Sequence, residues 1–434
     1  MCSDYRLLIR HIVRPVLLGQ IAFVIPLRNI RRSWLSRINI PLRPQSHFIH
    51  NFNADFRFTC ITTDDGHPGM ATPIPAYFES LPYRDGEVPV RGCAVYPYLI
   101  RYVIGNHSRP NYALVILVSA DKISNTDNNE SETDFYSPQD MVCLKRAMLD
   151  HVGQGMFLSS DMSGPTLHNE IVRWIIDISG CTFRDDDMYI AGSVSNLCVQ
   201  YFRYSCFPSC VYVDSCFTNQ YYRDNDTYPC ISTLLNWDIY GFRRPEVTEF
   251  HDMERFVYGM LYGNENFMRA DDHAVRENVT DYYSNNCVEH YWAAKESILS
   301  IRVASPFSVE RNRQRIQVQR GLREVDALPE LCMLIALNRE INDVLQRHHM
   351  MKADEVDMTK AEIAYYFNDN IFNLNELDNR MRFFLRRNNL EEQYGRVQNI
   401  MTPHRDILSR HYAQIITIVT LLVAFLTLIF TIIM

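Results

Sequence analysis

Cys198 is the residue of this chain whose position best suits covalent chemistry. It lies in the run MYIAGSVSNLCVQY, residues 188–201. The apolar start of this run predicts a strand, Gly192 allows a tight turn, and the residues from the cysteine onward predict a helix. A thiol at a helix N-terminus favours the thiolate, because the helix dipole and the free N–H groups stabilise negative charge. The pattern therefore offers a nucleophile, and a small buried hydrophobic side chain at a helix start is the alternative interpretation.

The order of the surrounding segments resembles that of the isochorismatase-like cysteine hydrolases. In that family a strand, a glycine and a Thr-Asn-x-Cys-Val-type turn deliver the nucleophile, and the next strand ends in an aspartate. Here residues 192–199 read GSVSNLCV and residues 210–214 read CVYVD. The Ile-Pro-Ala-Tyr segment at 74–77 and the Thr-Leu pair at 166–167 also resemble family segments. The resemblance covers about residues 71–250.

The resemblance implies a catalytic set of aspartate, lysine and cysteine. In such a set the thiolate attacks a carbonyl carbon, the aspartate acts as a base and the lysine supports the developing charge. The family's aspartate position falls on Val118, and its lysine position falls near Ser159. The loss of two members lowers the rate of a catalytic unit by orders of magnitude, so the resemblance implies a catalytically degenerate protein.

A second register of the same resemblance restores the catalytic set. It places the lysine motif on residues 140–145, which supplies Lys145, and the acid on Asp64 or Asp65. With Cys198 as the nucleophile, this register predicts an active amidase or a related hydrolase of C–N or ether bonds. A cleft that brings Cys198, a lysine and an aspartate within hydrogen-bond reach would distinguish it from the degenerate alternative.

The elements that must position these residues are predicted to be those of a doubly wound α/β fold. Residues 112–118 read YALVILV, an uninterrupted apolar run typical of a strand buried on both faces of a parallel sheet. Amphipathic helices are predicted over 141–152 and 166–178, and a further strand over 209–213. The alternation of strand and helix favours a mostly parallel sheet with helices on both faces. We expect this isochorismatase-like domain to span residues 56–250.

The C-terminal part of the chain is predicted to be helical and to end in a membrane anchor. A connector over 251–307 leads into helical periodicity over 308–412. Residues 415–434 contain no charge and no proline, and a helix of about 20 apolar residues spans the hydrocarbon core of a bilayer. Arg405 and Arg410 precede this stretch, as basic residues do on the cytosolic side of a span. We expect a single-pass tail anchor and a cytosolic bulk.

The membrane is expected to be the endoplasmic reticulum or one derived from it, viral membranes included. A long and strongly apolar span favours this destination over the mitochondrial outer membrane, which is the alternative. On this topology the N-x-S/T triplets of the chain stay unmodified and its cysteines stay reduced.

The first 55 residues form a compositional block of their own. Residues 1–50 hold eight arginines, no lysine and a single acidic residue, Asp4. The apolar run 16–27 is too short to span a bilayer and is interrupted by glycine, glutamine and proline. A basic arm that lies on anionic lipid or on a partner is the leading interpretation. A targeting leader and an ordinary packed segment are the alternatives.

Composition limits the remaining classes of function. A net charge of -8 argues against general affinity for nucleic acid. The twelve cysteines lack the paired CxxC spacing of zinc sites, so no metal and no cofactor is predicted. The expected partners are the lipid bilayer and, through the helical region, a protein partner or a second copy of the chain.

Taken with the resemblance, these observations favour a membrane-anchored, catalytically degenerate protein that acts in binding or scaffolding. An active cysteine amidase or hydrolase that uses Cys198 is one alternative. A structural protein of a viral or organellar envelope, in which the anchor and the basic arm are themselves the function, is the other.

Overall fold

The computed structural model describes most of the elements that the sequence predicts. It covers residues 15–27, 30–42, 54–62, 71–80, 88–104, 110–119, 138–149, 153–180, 209–217, 255, 257–264, 266–279, 282–284, 289–294, 297–303, 328–367 and 375–433. The strands are β1 (Pro15–Leu27), β2 (Ile40–Pro41), β3 (Ala54–Cys60), β4 (Ile74–Glu79), β5 (Val90–Ile104), β6 (Asn111–Ser119), β7 (Ser209–Phe217), β8 (Tyr283–Ser284), β9 (Glu289–Ala294) and β10 (Ser297–Val303). The helices are α1 (Arg32–Leu35), α2 (Pro138–Leu149), α3 (Leu167–Ser179), α4 (Asp272–Val279), α5 (Leu328–Arg347), α6 (Ala353–Tyr365), α7 (Asn375–Arg387) and α8 (Leu390–Ile433). A helical segment also covers residues 257–262.

The strands form one mixed, ten-stranded sheet in the order β2-β3-β5-β6-β1-β7-β10-β9-β8, with β4 paired to β5 outside this path. Among the described pairings, only β7 and β10 run parallel, and the others are antiparallel. The prediction of a mostly parallel sheet is therefore wrong for the described strands. Consecutive strands such as β5 and β6, or β9 and β10, pair antiparallel, and β1 lies between β6 and β7 and runs antiparallel to both. Local alternation of strands and helices cannot show that a distant strand enters between them.

The arginine-rich N-terminal block supplies the centre of the sheet. Residues 21–25 of β1 are at most 1% exposed, and Phe23 faces Ile116 of β6 in the strand register. Trp34 and Ile38, which follow, are buried as well. The prediction of a basic arm over residues 1–55 is wrong for these residues, and the packed-segment alternative describes them. Its apolar run is short because it crosses a sheet and not a bilayer.

Helices cover both faces of the sheet, as the sequence predicted, and successive side chains of β1 and β6 enter different cores. Val24, Val115 and Leu117 pack in one cluster with α5, α6, α7 and α8. Phe23 and Ile116 pack in a second cluster with α2, α3 and α4. This alternation follows from the two-residue period of a strand. It also explains why residues 112–118 are apolar throughout.

The boundaries of the predicted domains do not coincide with those of the fold. The predicted connector over 251–307 contributes β9 and β10 to the sheet. The helices of the predicted region 308–412 share a hydrophobic core with the sheet and do not stand apart from it. Both boundaries were inferred from a change in local periodicity, which says nothing about long-range packing.

The predicted helices α2 and α3 are confirmed, and the ends of α3 show why. The Thr166 N–H and hydroxyl both donate to Asn169 Oδ1, at 3.0 and 2.9 Å, which fixes the first turn. Gly180 ends the helix in the left-handed conformation, with φ of 76°. A side chain at this position would also meet the Arg31 guanidinium group, 2.9 Å from the place of a Cβ atom.

Two features of the C-terminal helices differ from simple sequence rules. Thr359 and Glu362 have the spacing of a capping box, but α6 starts earlier, at Ala353, where Glu355 accepts a hydrogen bond from the Lys352 N–H at 3.1 Å. A proline usually breaks a helix, but α8 continues through Pro403. The missing proline N–H leaves the carbonyl of Asn399 without its helical donor, and Asn399 is exposed, so water can bond to it.

Candidate functional site

Only some of the predicted catalytic residues belong to the part of the chain that the structure describes. Cys198, Asp64 and Asp65 lie outside the described residues, together with the strand and helix predicted around Cys198. Lys145, Val118 and Ser159 lie within them. The structure therefore shows the environment of Lys145, the lysine of the active register, and of Val118 and Ser159, the two positions of the degenerate register.

Lys145 lies in the interior, 1% exposed, on the core-facing side of α2. Its Nζ atom donates hydrogen bonds to the backbone carbonyl oxygens of Met260 and Leu261 and to Ser297 Oγ, the last two at 3.1 and 2.8 Å. The ammonium group thereby joins α2 to the end of the helical segment 257–262 and to the first residue of β10. Charge-assisted hydrogen bonds of this kind are the strong ones, and they compensate for burial of the charge.

The other end of α2 is held by a buried carboxylate. Asp140 is fully buried, Ser80 Oγ donates to its Oδ1 at 2.5 Å, and Arg91 Nε lies 3.4 Å from the same oxygen. Ser80 directly follows β4, and Arg91 belongs to β5. The predicted lysine motif 140–145 is thus a helix with a buried charge near each end, and both charges bond to other elements.

The two positions of the degenerate register have no shared environment of charged groups. Val118 is completely buried among the apolar side chains between the sheet, α2 and α3. Ser159 lies in a turn, where its hydroxyl donates to Asp161 Oδ1 at 2.5 Å. Hydrogen bonds from Ser159 and Ser163 lower the pKa of the exposed Asp161 carboxyl. These contacts shape a turn and do not form a catalytic pair.

A buried ion pair in the C-terminal layer was missed by sequence reasoning. Glu330 of α5 and Arg380 of α7 form a salt bridge with side chains only 1% and 6% exposed. The Arg380 guanidinium carbon also lies 4.6 Å from the centre of the Tyr291 ring of β9. Arg387 of the same helix also has partners in other elements: it donates to the carbonyl oxygens of Ala293 and Asn278.

One signal could have revealed these two arginines. Arg380 and Arg387 are seven residues apart, which places them on the same side of a helix, and that side also carries Phe384. An arginine that shares a helix face with large apolar residues is a candidate for burial with a partner.

We call the sheet, the helices α1–α7 and residues 390–401 of α8 the head of the protein. Helix α8 extends from this head as one uninterrupted helix. One side of its first turns is buried through Leu390, Val397 and Met401, and from residue 402 onward its described side chains are exposed or half-buried. The helix is long and apolar enough to cross a membrane. Thr417 and Thr420 donate to the carbonyl oxygens of Ala413 and Ile416, each at 2.8 Å, so these hydroxyls are satisfied within the helix as expected for a span.

An apolar cavity lies between α6 and α8, on the buried part of α8. Its volume is about 270 Å³, and it is lined by Lys360, Ala361, Ile363, Ala364, Tyr394, Val397 and Gln398. Within the described part of the chain, no group of three or more histidine, cysteine or acidic side chains is placed to hold a metal ion.

Comparison of the chain with known protein families, with curated proteins and with solved structures finds no significant match. The isochorismatase-like assignment therefore stays a prediction from the residues around Cys198.

Proposed function

We propose that this chain is a single-pass membrane protein whose α/β head is held at a membrane surface by α8 and acts there by binding. The observation that carries the proposal is the exposed apolar surface of α8. Ile416, Leu421 and Phe425 are 65%, 65% and 62% exposed, although such side chains gain about 1.5–3 kcal/mol each on leaving water. A bilayer is the environment that covers all sides of such a helix at once.

The orientation of the proposed anchor follows from charge. Arg405, Arg410 and His411 precede the apolar stretch, and basic residues stay on the cytosolic side during insertion. One N-x-S/T triplet supports a cytosolic head. Its Asn278 lies in α4, accepts a hydrogen bond from the Tyr262 hydroxyl and donates one to the Ala274 carbonyl oxygen, each at 2.7 Å. An amide in these contacts is not presented for glycosylation. We propose the endoplasmic reticulum or a membrane derived from it as the destination.

The proposal of binding in place of turnover rests on Lys145. A lysine that supports catalysis must reach the reacting atoms, whereas this ammonium group is enclosed and donates to oxygen atoms of two neighbouring elements. That environment favours a structural lysine and, with it, the catalytically degenerate register of the isochorismatase-like resemblance. A protein partner, or a second copy of the chain, is proposed to bind the helical layer, where the cavity between α6 and α8 is open and apolar.

The geometry of α8 indicates how the anchor presents the head. Residues 402–414 continue the helix between its buried part and the apolar stretch, which corresponds to about 20 Å at 1.5 Å per residue. Because the helix is not interrupted, it acts as a stalk of defined length. The head is then held at a fixed height, as a scaffold requires.

Alkaline carbonate extraction tests the anchor. The full chain, tagged at its N-terminus, should remain in the membrane pellet, and a variant without residues 415–434 should move to the supernatant. A third variant, in which an unrelated apolar helix of equal length replaces these residues, should return to the pellet. Retention of the truncated variant in the pellet would contradict the proposal. A mass shift of the full chain after glycosidase treatment would reverse the proposed orientation.

Hydrolysis assays test the proposed absence of turnover. The purified full chain should not release ammonia from nicotinamide-like amides above the rate of a Cys198→Ala control. Hydrolysis that this substitution abolishes would establish the active amidase alternative instead. Recovery of the protein as a major component of purified virions or organelle membranes would favour the envelope alternative.

A further inference from the structure

Three histidines meet where α8 leaves the head. His348 and His349 form a short helical turn after α5, and His404 follows Pro403 in α8. The centre of the His348 ring lies 6.1 Å from that of His404 and 5.7 Å from that of His349, and the rings are nearly perpendicular in both pairs. His404 Nε2 is 3.3 Å from the Met351 carbonyl oxygen. His348 Nδ1 is buried and has no hydrogen-bond partner among the described residues.

The same region contains the polar contacts that tie α8 to α6. Lys360 Nζ donates to Thr402 Oγ1 at 3.0 Å, and Arg405 forms a salt bridge with Asp357 at 2.8 Å. Beyond them the described side chains of α8 are exposed or half-buried up to residue 426. The histidines therefore belong to the root of the stalk, which these contacts hold against the head.

We propose that the three histidines form a pH-sensitive latch for α8, closed when the rings are neutral and opened when they become protonated. Histidine is the side chain whose charge ordinarily changes between pH 5 and 8. Neutral rings pack edge to face, as His348 does with both neighbours. Protonated rings at the same separation repel one another, and burial of a charged ring at His348 carries a desolvation cost.

The charged neighbours do not compensate for this repulsion. By sequence, the charged residues around the cluster include the cations Arg347 at the end of α5, Lys352 before α6, Lys360 in α6 and Arg405 in α8, and the carboxylates Asp343, Asp354, Glu355, Asp357 and Asp406. Asp357 is engaged by Arg405, and Glu355 accepts a bond from the Lys352 N–H. The exposed Asp354 and Asp406 are screened by solvent.

Pro403 determines where the latch opens. A proline inside a helix removes one backbone hydrogen bond, so the helix bends more easily at this position than elsewhere along its length. Release of His404 from the 348–350 turn then frees α8 to change its angle at Pro403. The opening concerns only contacts between the head and α8. The consequence that it changes the angle between the head and a bilayer rests on the proposed function.

Hydrogen–deuterium exchange of the full chain in detergent micelles tests the latch. After correction for intrinsic rates, peptides that cover residues 348–357 and 398–408 should exchange about tenfold faster at pH 5.5 than at pH 7.5, because repulsion between the protonated rings favours the open form. Peptides from β6 should keep their protection. A difference below twofold at the root of α8, or an equal increase in β6, would overturn the proposal.

Two variants separate the latch from general acid sensitivity. His348→Gln combined with His404→Gln should reduce the pH response to less than twofold, whereas His273→Gln, at an exposed position in α4, should leave it unchanged. A full pH response in the double variant would overturn the proposal. If the double variant melts at a lower temperature than the wild type at pH 7.5, His404→Asn alone decides by the same criterion. Sedimentation of membranes that carry the protein, at both pH values, keeps the tests apart, because failure of the anchor releases the protein at either pH.

Discussion

Replacement of the buried ion pair between α5 and α7 should distinguish two quantities. One is the unfolding free energy lost when a single member of the pair is removed, and the other is the net contribution of the whole pair to that free energy. We consider Glu330→Leu, Arg380→Met and the double variant. The side chains are 1% and 6% exposed, so either single variant leaves one charge in the interior without its partner. Such a loss costs about 3–5 kcal/mol of unfolding free energy. Arg380→Met also loses the contact with the Tyr291 ring, which is worth about 0.5–2 kcal/mol.

The double variant should recover most of this loss. It places two apolar side chains of similar length where two desolvated charges stood, an exchange that is neutral or stabilising in other buried pairs. We expect its unfolding free energy to lie within about 1 kcal/mol of the wild type, apart from the lost ring contact. The two substitutions should therefore be strongly non-additive, with a coupling of several kcal/mol.

Urea titration of the full chain in detergent micelles, followed by tryptophan fluorescence, measures these differences. Trp292 follows Tyr291 in β9 but packs on the other face of the sheet, against the cluster that contains α2, α3 and α4, so its fluorescence reports on unfolding of the sheet as a whole. The matched control is Arg396→Met in α8, which removes an ion pair with Glu392 whose side chains are 67% and 64% exposed. It should cost less than about 0.5 kcal/mol. Single variants that cost no more than this control, or a double variant whose loss equals the sum, would refute the reasoning.

Three further predictions concern the rest of the head. A chain that begins at residue 30 should fail to fold and should be recovered only in aggregates, because it lacks the central strand β1; a soluble, protease-resistant product would contradict this. Lys145→Met should lower the urea midpoint by an amount equivalent to about 2–4 kcal/mol, because carbonyl oxygens of buried residues lose their donor, and an unchanged midpoint would argue against a structural lysine. Burial raises the pKa of the Cys93 and Cys332 thiols above the ordinary value of 9.0, so the contribution of these thiols to the unfolding free energy should be constant below pH 9. Above pH 9 it should fall by up to about 1.4 kcal/mol per pH unit for each thiol, as equilibrium unfolding between pH 8 and 10 can show.

The sequence predicted single elements of this fold far better than their pairing. The apolar run at 112–118 became β6, the stretches at 141–152 and 166–178 became α2 and α3, and the uncharged C-terminal stretch became an exposed helix. Each of these depends on interactions within a few residues. The direction and neighbours of the strands depend on pairings between distant residues, such as that of Phe23 in β1 with Ser209 in β7. Local periodicity contains no information about such a pairing.

The candidate site was harder to predict for a related reason. Lys145 was found by its position in a motif, but its hydrogen-bond partners come from residues more than 100 positions away. The same separation hides the environment of Arg380, whose ring partner lies in β9. The type of a charged residue predicts exposure on average, and only the tertiary structure shows which charge is desolvated and paired.

β1 and α8 pack in the same hydrophobic core, and this packing determines the angle between the sheet and α8. Ala22 and Val24 of β1 belong to the same hydrophobic cluster as Leu390, Val397 and Met401 of α8. A helix that merely trailed from the head could rotate about a linker, but α8 is packed for three turns before it becomes exposed. The angle between the sheet and the stalk is therefore fixed by side-chain packing, and the only weak point is Pro403. Under the proposed function, a head fixed in this way presents the same face to a binding partner at the membrane, as a scaffold requires.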